Sequence, residues 1–441
     1  MARNTAFERR PDLLSLLRAG VIVASDAVGS CIEAYAAWER RMQAFSWFHA
    51  DQPKRRASEL DRGIGLAGLD LFGLPMGVKD IFDTKGIPTE YGSSAFRGRV
   101  PTVSALAVSR LEAAGAIVFG KTVTAELAYF APGPTANPWN LARTPGGSSM
   151  GSAAAVAAGV VPAAIGTQTN GSVIRPAAFC GIVGFKPSVG RVPNQGVLTF
   201  SPSLDQAGVF AASVDTAAAV AAVLGGTKPG SVEPPPRPRS FRLAVVRTAE
   251  FEAADGYAVS QFDATLATLV SAGASIQYLE LPQGLTGALV VHRTLMAAEA
   301  SQFIGSLVAD AGGQVSPQLN ALLEEGRAIN DVAYAGALRT QAAMKSCFGA
   351  WLADFDALLT IPVLGEAPPI ATTGDPRCCT RWTLVGAPAL TMPTGLGPNG
   401  LPLGIQVIGG IGQDETLIDV ARWMESVLPG IGRPPVPSAT S

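Results

Sequence analysis

Apolar residues recur along this chain in two periods. Between 11 and 60, Leu13, Leu14, Leu16 and Leu17, and then Ile32, Tyr35, Ala36 and Trp38, fall on helical spacing and predict two helices, the second over about 28–48. The run LPMGV then reads as a short strand ending on Lys79, and Gly86-Ile87-Pro88 breaks the segment after it. SALAVSRLEAA (104–114) is an amphipathic helix stopped by Gly115, and AIVFGKT after it reads as a strand. Strands and helices go on alternating: a helix over 149–159, a strand in GIVGFKPS, a helix in VDTAAAVAAVLGG and a strand in FRLAVVRT. Helices are expected over 257–271 and across most of 288–355, with a strand in DALLTIPVL. Two strands joined at Gly-Pro-Asn-Gly precede a last helix over 415–428. This alternation predicts an α/β fold with a central mixed sheet covered by helices on both faces. The expected organisation is N-terminal helices (1–60) packed on a single α/β domain (61–441), with a variable helical region at about 285–350. The proline-rich stretch 227–240 reads as an exposed connector, and the tail GRPPVPSATS as frayed.

Composition narrows the function classes. The chain has 441 residues, 48% hydrophobic and only 15% charged, so it must bury a large core. Its 33 basic and 35 acidic residues nearly cancel and form no basic block, which argues against nucleic-acid binding. Five cysteines (31, 180, 347, 378 and 379) with no CxxC spacing suit neither a disulfide framework nor a zinc site. No run is long and apolar enough for a secretory signal or a bilayer span, so a cytoplasmic protein is the expectation. His49 and His292 are the only histidines. Neither sits in a Ser-His-Asp or HExxH context, so both are expected to be structural and no metal or organic cofactor is expected.

The chemistry concentrates in 144–186, TPGGSSMGSAAAVAAGVVPAAIGTQTNGSVIRPAAFCGIVGFKP, where two glycine-serine turns flank an alanine-rich helix. Such turns expose backbone N–H groups and small hydroxyls, which suits an oxyanion, a phosphate or a serine nucleophile. The GGSSMGS turn lacks the lysine and following Ser/Thr of a phosphate loop. A serine nucleophile without a usable histidine needs another base, and a neutral lysine is the best candidate. Lys79, directly after an apolar run, should enter the interior; a salt bridge to Asp80 or Asp83 is the competing reading.

GLPMGVKD, PGGSSMGSAAAVAAG and TQTNGSVIRPAAFCGIVGFKPS, in this order, resemble the amidase signature family of Ser-cisSer-Lys hydrolases, and the likeness extends over about 60–430. The resemblance implies Ser172 as nucleophile, Ser148 as proton relay and Lys79 as base. It further implies an oxyanion hole from the N–H groups of Thr169, Asn170, Gly171 and Ser172. A cis Gly147–Ser148 peptide and a supporting hydrogen bond from Ser149 are also implied. Where the family commonly reads GTDTGGSIR, this chain has Gln168 for the Asp, Asn170 for a Gly and Ile174 for the Arg, with Arg175 one place later. The loss of both charges is expected to leave a neutral arrangement. Tyr129, Phe130 and Trp382 are candidate pocket walls, while Cys180, Cys378 and Cys379 are expected to be inert.

The expected activity is hydrolysis of small neutral or aromatic amides through an acyl-serine, possibly extending to esters. A carbamate (urethane) hydrolase using the same triad is the close alternative. An amidotransferase-type subunit that needs a partner, and a catalytically dead binding protein, are the other classes. No membrane partner is expected, and the chain should be a monomer or homodimer.

Overall fold

The computed structural model describes residues 12–63, 69–229, 240–312 and 314–436. The core of the proline-rich connector and the end of the tail lie outside the described residues. Among the described residues, eleven strands form one sheet: β1 (Phe45–Trp47), β2 (Pro75–Lys79), β3 (Ile117–Thr122), β4 (Ala163–Gln168), β5 (Val183–Lys186), β6 (Gln206–Ala211), β7 (Arg242–Val245), β8 (Ser275–Tyr278), β9 (Ala357–Thr360), β10 (Ala389–Leu396) and β11 (Pro402–Ile408). Their order is β1-β3-β2-β4-β6-β5-β10-β11-β9-β7-β8. β2 runs parallel to both β3 and β4, and β7 parallel to β8 and β9, while the pairs between these groups are antiparallel. The sheet is therefore mixed, as the alternation predicts.

Its central strands are covered on both faces. Along β4, Ala164 packs with the helices Ala24–Met42 and Met150–Ala157, whereas its neighbour Ile165 packs into the larger core on the other side. β6 repeats the alternation with Phe210 and Val209. Successive strand side chains point to opposite faces, so a strand buried on both reads as a continuous apolar run. That is why β3 and β4 are buried at every position.

The N-terminal segment departs from the expected pair of helices. The helix Ala24–Met42 stops at Gln43, whose φ of 52° is left-handed, and the Glu39 carboxylate accepts from the N–H groups of Ala44 (3.1 Å) and Phe45 (2.9 Å). The aromatic run FSWF then pairs as β1 on the edge of β3, and a third helix, Asp51–Asp61, follows. Helical spacing extends through residues 45–48, but the carboxylate ends the helix and aromatic residues suit a pleated edge. Region 288–355 resolves into Ala288–Ala311, Pro317–Arg327 and Asp331–Leu352. Sequence reading passed over β4, β6, β8 and the helices Ile174–Cys180 and Arg377–Leu384, and several of these carry the site.

Candidate active site

The site gathers where β2 and β4, adjacent and parallel, both reach their C-terminal ends. Lys79 is the last residue of β2 and is fully buried. Its Nζ lies 2.8 Å from Ser148 Oγ and 2.9 Å from Thr167 Oγ1. Lys79 makes no salt bridge with Asp80, whose carboxylate pairs instead with Lys121 at 3.5 Å, while Asp83 pairs with Arg99. With burial unopposed by a direct counter-ion, Lys79 is pulled down from an ordinary 10.5 to about 7. The half-buried Asp205 carboxylate, itself pushed up to about 6 by desolvation, opposes part of that fall.

Ser148 follows a cis peptide from Gly147 and precedes the helix Met150–Ala157, whose eight residues are all buried. The small side chains of this helix let it press against β4. Ser149 Oγ donates to the Thr167 carbonyl at 3.3 Å, so the turn is tied to the strand that carries Lys79's second partner. Gly166 makes room for this: a Cβ there would lie 2.6 Å from Ser149 Oγ.

β4 ends at Gln168, and the loop 169–172 leads into the helix Ile174–Cys180. Gln168 Oε1 accepts from the N–H groups of Val173 (2.9 Å) and Ile174 (3.0 Å), and its Nε2 donates to Thr383 Oγ1 (2.9 Å). The amide thus satisfies N–H groups at the start of that helix without a charge. Among the described residues, the N–H groups of Asn170, Gly171 and Ser172 have no hydrogen-bond acceptor, which leaves them open to a bound oxyanion. Ser172 Oγ has no hydrogen-bond partner among them either, and it lines a narrow cavity with Tyr129, Phe130, Phe200 and Met296.

Three elements hold this loop from behind. His292, on the helix Ala288–Ala311, approaches the Thr169 carbonyl at 2.9 Å through Nε2, so that nitrogen carries the proton and donates. Burial pulls this imidazole down to about 4, so it is neutral at physiological pH. Thr169 Oγ1 donates to Asp205 at 2.6 Å. From the helix Arg377–Leu384, Thr380 donates to Asn170 Oδ1 at 2.6 Å and Thr383 to the Asn170 carbonyl at 2.5 Å.

The structure therefore brings together Lys79, Gly147, Ser148, Ser149 and the loop 169–172. Tyr129 and Phe130 line the cavity, but Trp382 does not: it is 1% exposed and packs on Phe348, one face of its helix being turned into the core. Trp382's neighbours Thr380 and Thr383 are the residues of that helix that reach the site. Sequence reasoning missed Thr167, Asp205, His292 and these two threonines. Thr167 lies in a strand, AAIGTQ, with little strand signal of its own, and the partner of His292 is 123 positions away and left no local trace. Gln168 and Ile174 are both uncharged, but the next residue carries a charge. Arg175 remains as a buried guanidinium with no carboxylate within 4 Å among the described residues.

Comparison with known proteins places the chain and its fold. The sequence profile of the Amidase family matches residues 26–418. The A subunit of the glutamyl-tRNA(Gln) amidotransferase from Anaeromyxobacter sp. (strain K) is 34% identical, the match covering 96% of this chain and 98% of that protein. A solved amidase structure superposes with a TM-score of 0.85 at 31% identity, covering 95% of this chain and all (100%) of that one. The peptide amidase from Stenotrophomonas maltophilia superposes with a TM-score of 0.83 at 28% identity, covering 97% and 99% of the two chains. Among the described residues no helix is long and apolar enough to cross a membrane. With its profile match, its relatives and its fold all in accord, the chain belongs to the Amidase (amidase signature) family, whose members act on amide C–N bonds.

Proposed function

We propose that the protein hydrolyses the C–N bond of small amides through an acyl-Ser172 intermediate. The observation that carries this reading is Lys79 Nζ at 2.8 Å from Ser148 Oγ, with burial bringing the amine down to about 7. A neutral amine has two N–H groups and one lone pair. Donating one N–H to Thr167 leaves the lone pair free to take the Ser148 proton. Ser172 Oγ then attacks the carbonyl carbon as its proton passes to Ser148 and that of Ser148 to Lys79. The oxyanion is received by the free N–H groups of 170–172, a donor of this kind being worth about 3 kcal/mol. As the C–N bond breaks, the lysinium proton returns through Ser148 to the leaving nitrogen. Water then attacks the acyl ester, gives its proton to Lys79 by the same relay, and Ser172 regains its proton as the acid leaves. Asp205, whose charge favours protonated Lys79, steadies the lysinium that forms within each half.

A carbamate would follow the same steps through a carbamate ester of Ser172, and the apolar walls Tyr129, Phe130, Phe200 and Met296 suit an aromatic or aliphatic substituent on either substrate. The reading takes the enzyme as cytoplasmic, acting alone or as a homodimer. Release of nitroaniline from an N-acyl nitroanilide and from the matching alkyl N-nitrophenyl carbamate tests it. The wild type should cut at least one and Ser172→Ala neither; equal release by both proteins would reject Ser172 as nucleophile. A partner-dependent role is the second reading, supported by the 34% identity to one subunit of a glutamyl-tRNA(Gln) amidotransferase. It would displace the first if hydrolysis of glutamine appeared only when a co-purifying chain was added.

A further inference from the structure

Arg175 is the one feature of the cavity that the hydrolytic cycle leaves without work. The side chain is 2% exposed and lies in the cavity wall with Ser172 and Phe130. One of its nitrogens, Nη2, donates to the Gly147 carbonyl at 2.6 Å. Nε and Nη1 are buried with no hydrogen-bond partner. Its other neighbour is the ring of Phe130, with the guanidinium carbon 5.8 Å from the centroid. Asp375, the carboxylate whose charge bears on it, is engaged by Arg377. Burial pulls the guanidinium down only to about 10, so it is charged at neutral pH. A second unpartnered buried group, Thr373 Oγ1, belongs to the segment 373–374 that packs against Gly147 and against Cδ of Arg175.

Buried cations are ordinarily paired, and buried donors are ordinarily satisfied. A guanidinium held beside Ser172 with two open nitrogens and no counter-charge is a receptor waiting for an anion, and a carboxylate can accept from either nitrogen. We propose that Arg175 is a substrate-binding residue and that the physiological substrates are small amides or carbamates carrying a carboxylate within a few bonds of the scissile carbonyl. This rests on the hydrolase reading and replaces the expectation of a neutral substrate. The apolar walls then receive the carbon skeleton, and the carboxylate supplies the charge that Arg175 lacks.

The test has a binding arm and a turnover arm. In the binding arm, thermal melting is followed with phenylacetate and with phenylacetamide, in wild type, Arg175→Lys and Arg175→Met. Phenylacetate should raise the melting temperature of the wild type, less so that of Arg175→Lys and not that of Arg175→Met, while the amide should do little in any. Equal shifts with both compounds, no shift with either, or a carboxylate shift that survives in Arg175→Met would each overturn the proposal, and the first two need no variant to fold. In the turnover arm, an acid-bearing anilide should exceed its methyl ester in kcat/KM by at least ~100-fold, as expected for loss of a buried charge-assisted contact. Arg175→Met should collapse that ratio toward one, and a ratio left unchanged would overturn the proposal. Absence of all turnover, with phenylacetate still binding through Arg175, would count against the hydrolase reading and leave the anion site standing.

Discussion

Lys79 is driven toward its neutral form by position rather than by a neighbour. Ending a strand buried on both faces, it has Ser148 and Thr167 as its partners and no carboxylate in contact. The consequence for stability has a definite sign. Unfolded, this lysine titrates near 10.5; folded, near 7. Between those values the unfolded chain holds a proton that the folded chain lacks, so Lys79's contribution to stability falls as pH drops through the window and is lowest below about 7. Lys79→Met should therefore gain in melting temperature over the wild type as the buffer is taken from about pH 9 to about pH 6. A difference constant with pH would mean that the lysine keeps its charge when folded. The same scale explains Gly166, where a methyl group would push into Ser149 Oγ at 2.6 Å. Gly166→Ala should cost about 1–3 kcal/mol of stability through overpacking and lower turnover at least ~10-fold by shifting the serine turn. Unchanged kinetics would show that Ser149 has no part in holding the relay.

At the scale of elements, the site is built from two strand ends and braced by two helices that the apolar pattern did not reveal as functional. The strand ending on Lys79 and both glycine-serine turns were legible because their signals are local: an apolar run cut by a lysine, and glycines beside serines. The braces were not legible, since His292 meets Thr169 and Thr383 meets Asn170 only through tertiary packing, 123 and 213 positions apart. β4 was hidden by its alanines and glycine, which carry little strand propensity, and only its pairing between β2 and β6 makes it a strand. The brace has a testable effect. His292→Ala removes the donor to the Thr169 carbonyl and should lower kcat by about 10- to 100-fold with KM little changed, because the loop's N–H groups serve the transition state. His292→Gln, which can still donate, should recover part of the loss. A change confined to KM or to melting temperature would make His292 a packing residue alone.

The whole molecule places Lys79 and Ser148 where water has little access and lets distant elements hold the loop 169–172. One mixed sheet runs from residue 45 to residue 408, so the strand ending on Lys79 and the strand leading into the loop 169–172 are neighbours although far apart in sequence. The central claim is that neutral Lys79 activates Ser172 through Ser148. Its most direct test is the rate at which a fluorophosphonate labels Ser172, followed by mass spectrometry across pH. The account predicts that labelling rises with pH around about 7, follows a single ionisation, and falls by several orders of magnitude in Lys79→Ala and Ser148→Ala, both folded. Labelling that is flat with pH, or that persists in Lys79→Ala, would contradict it.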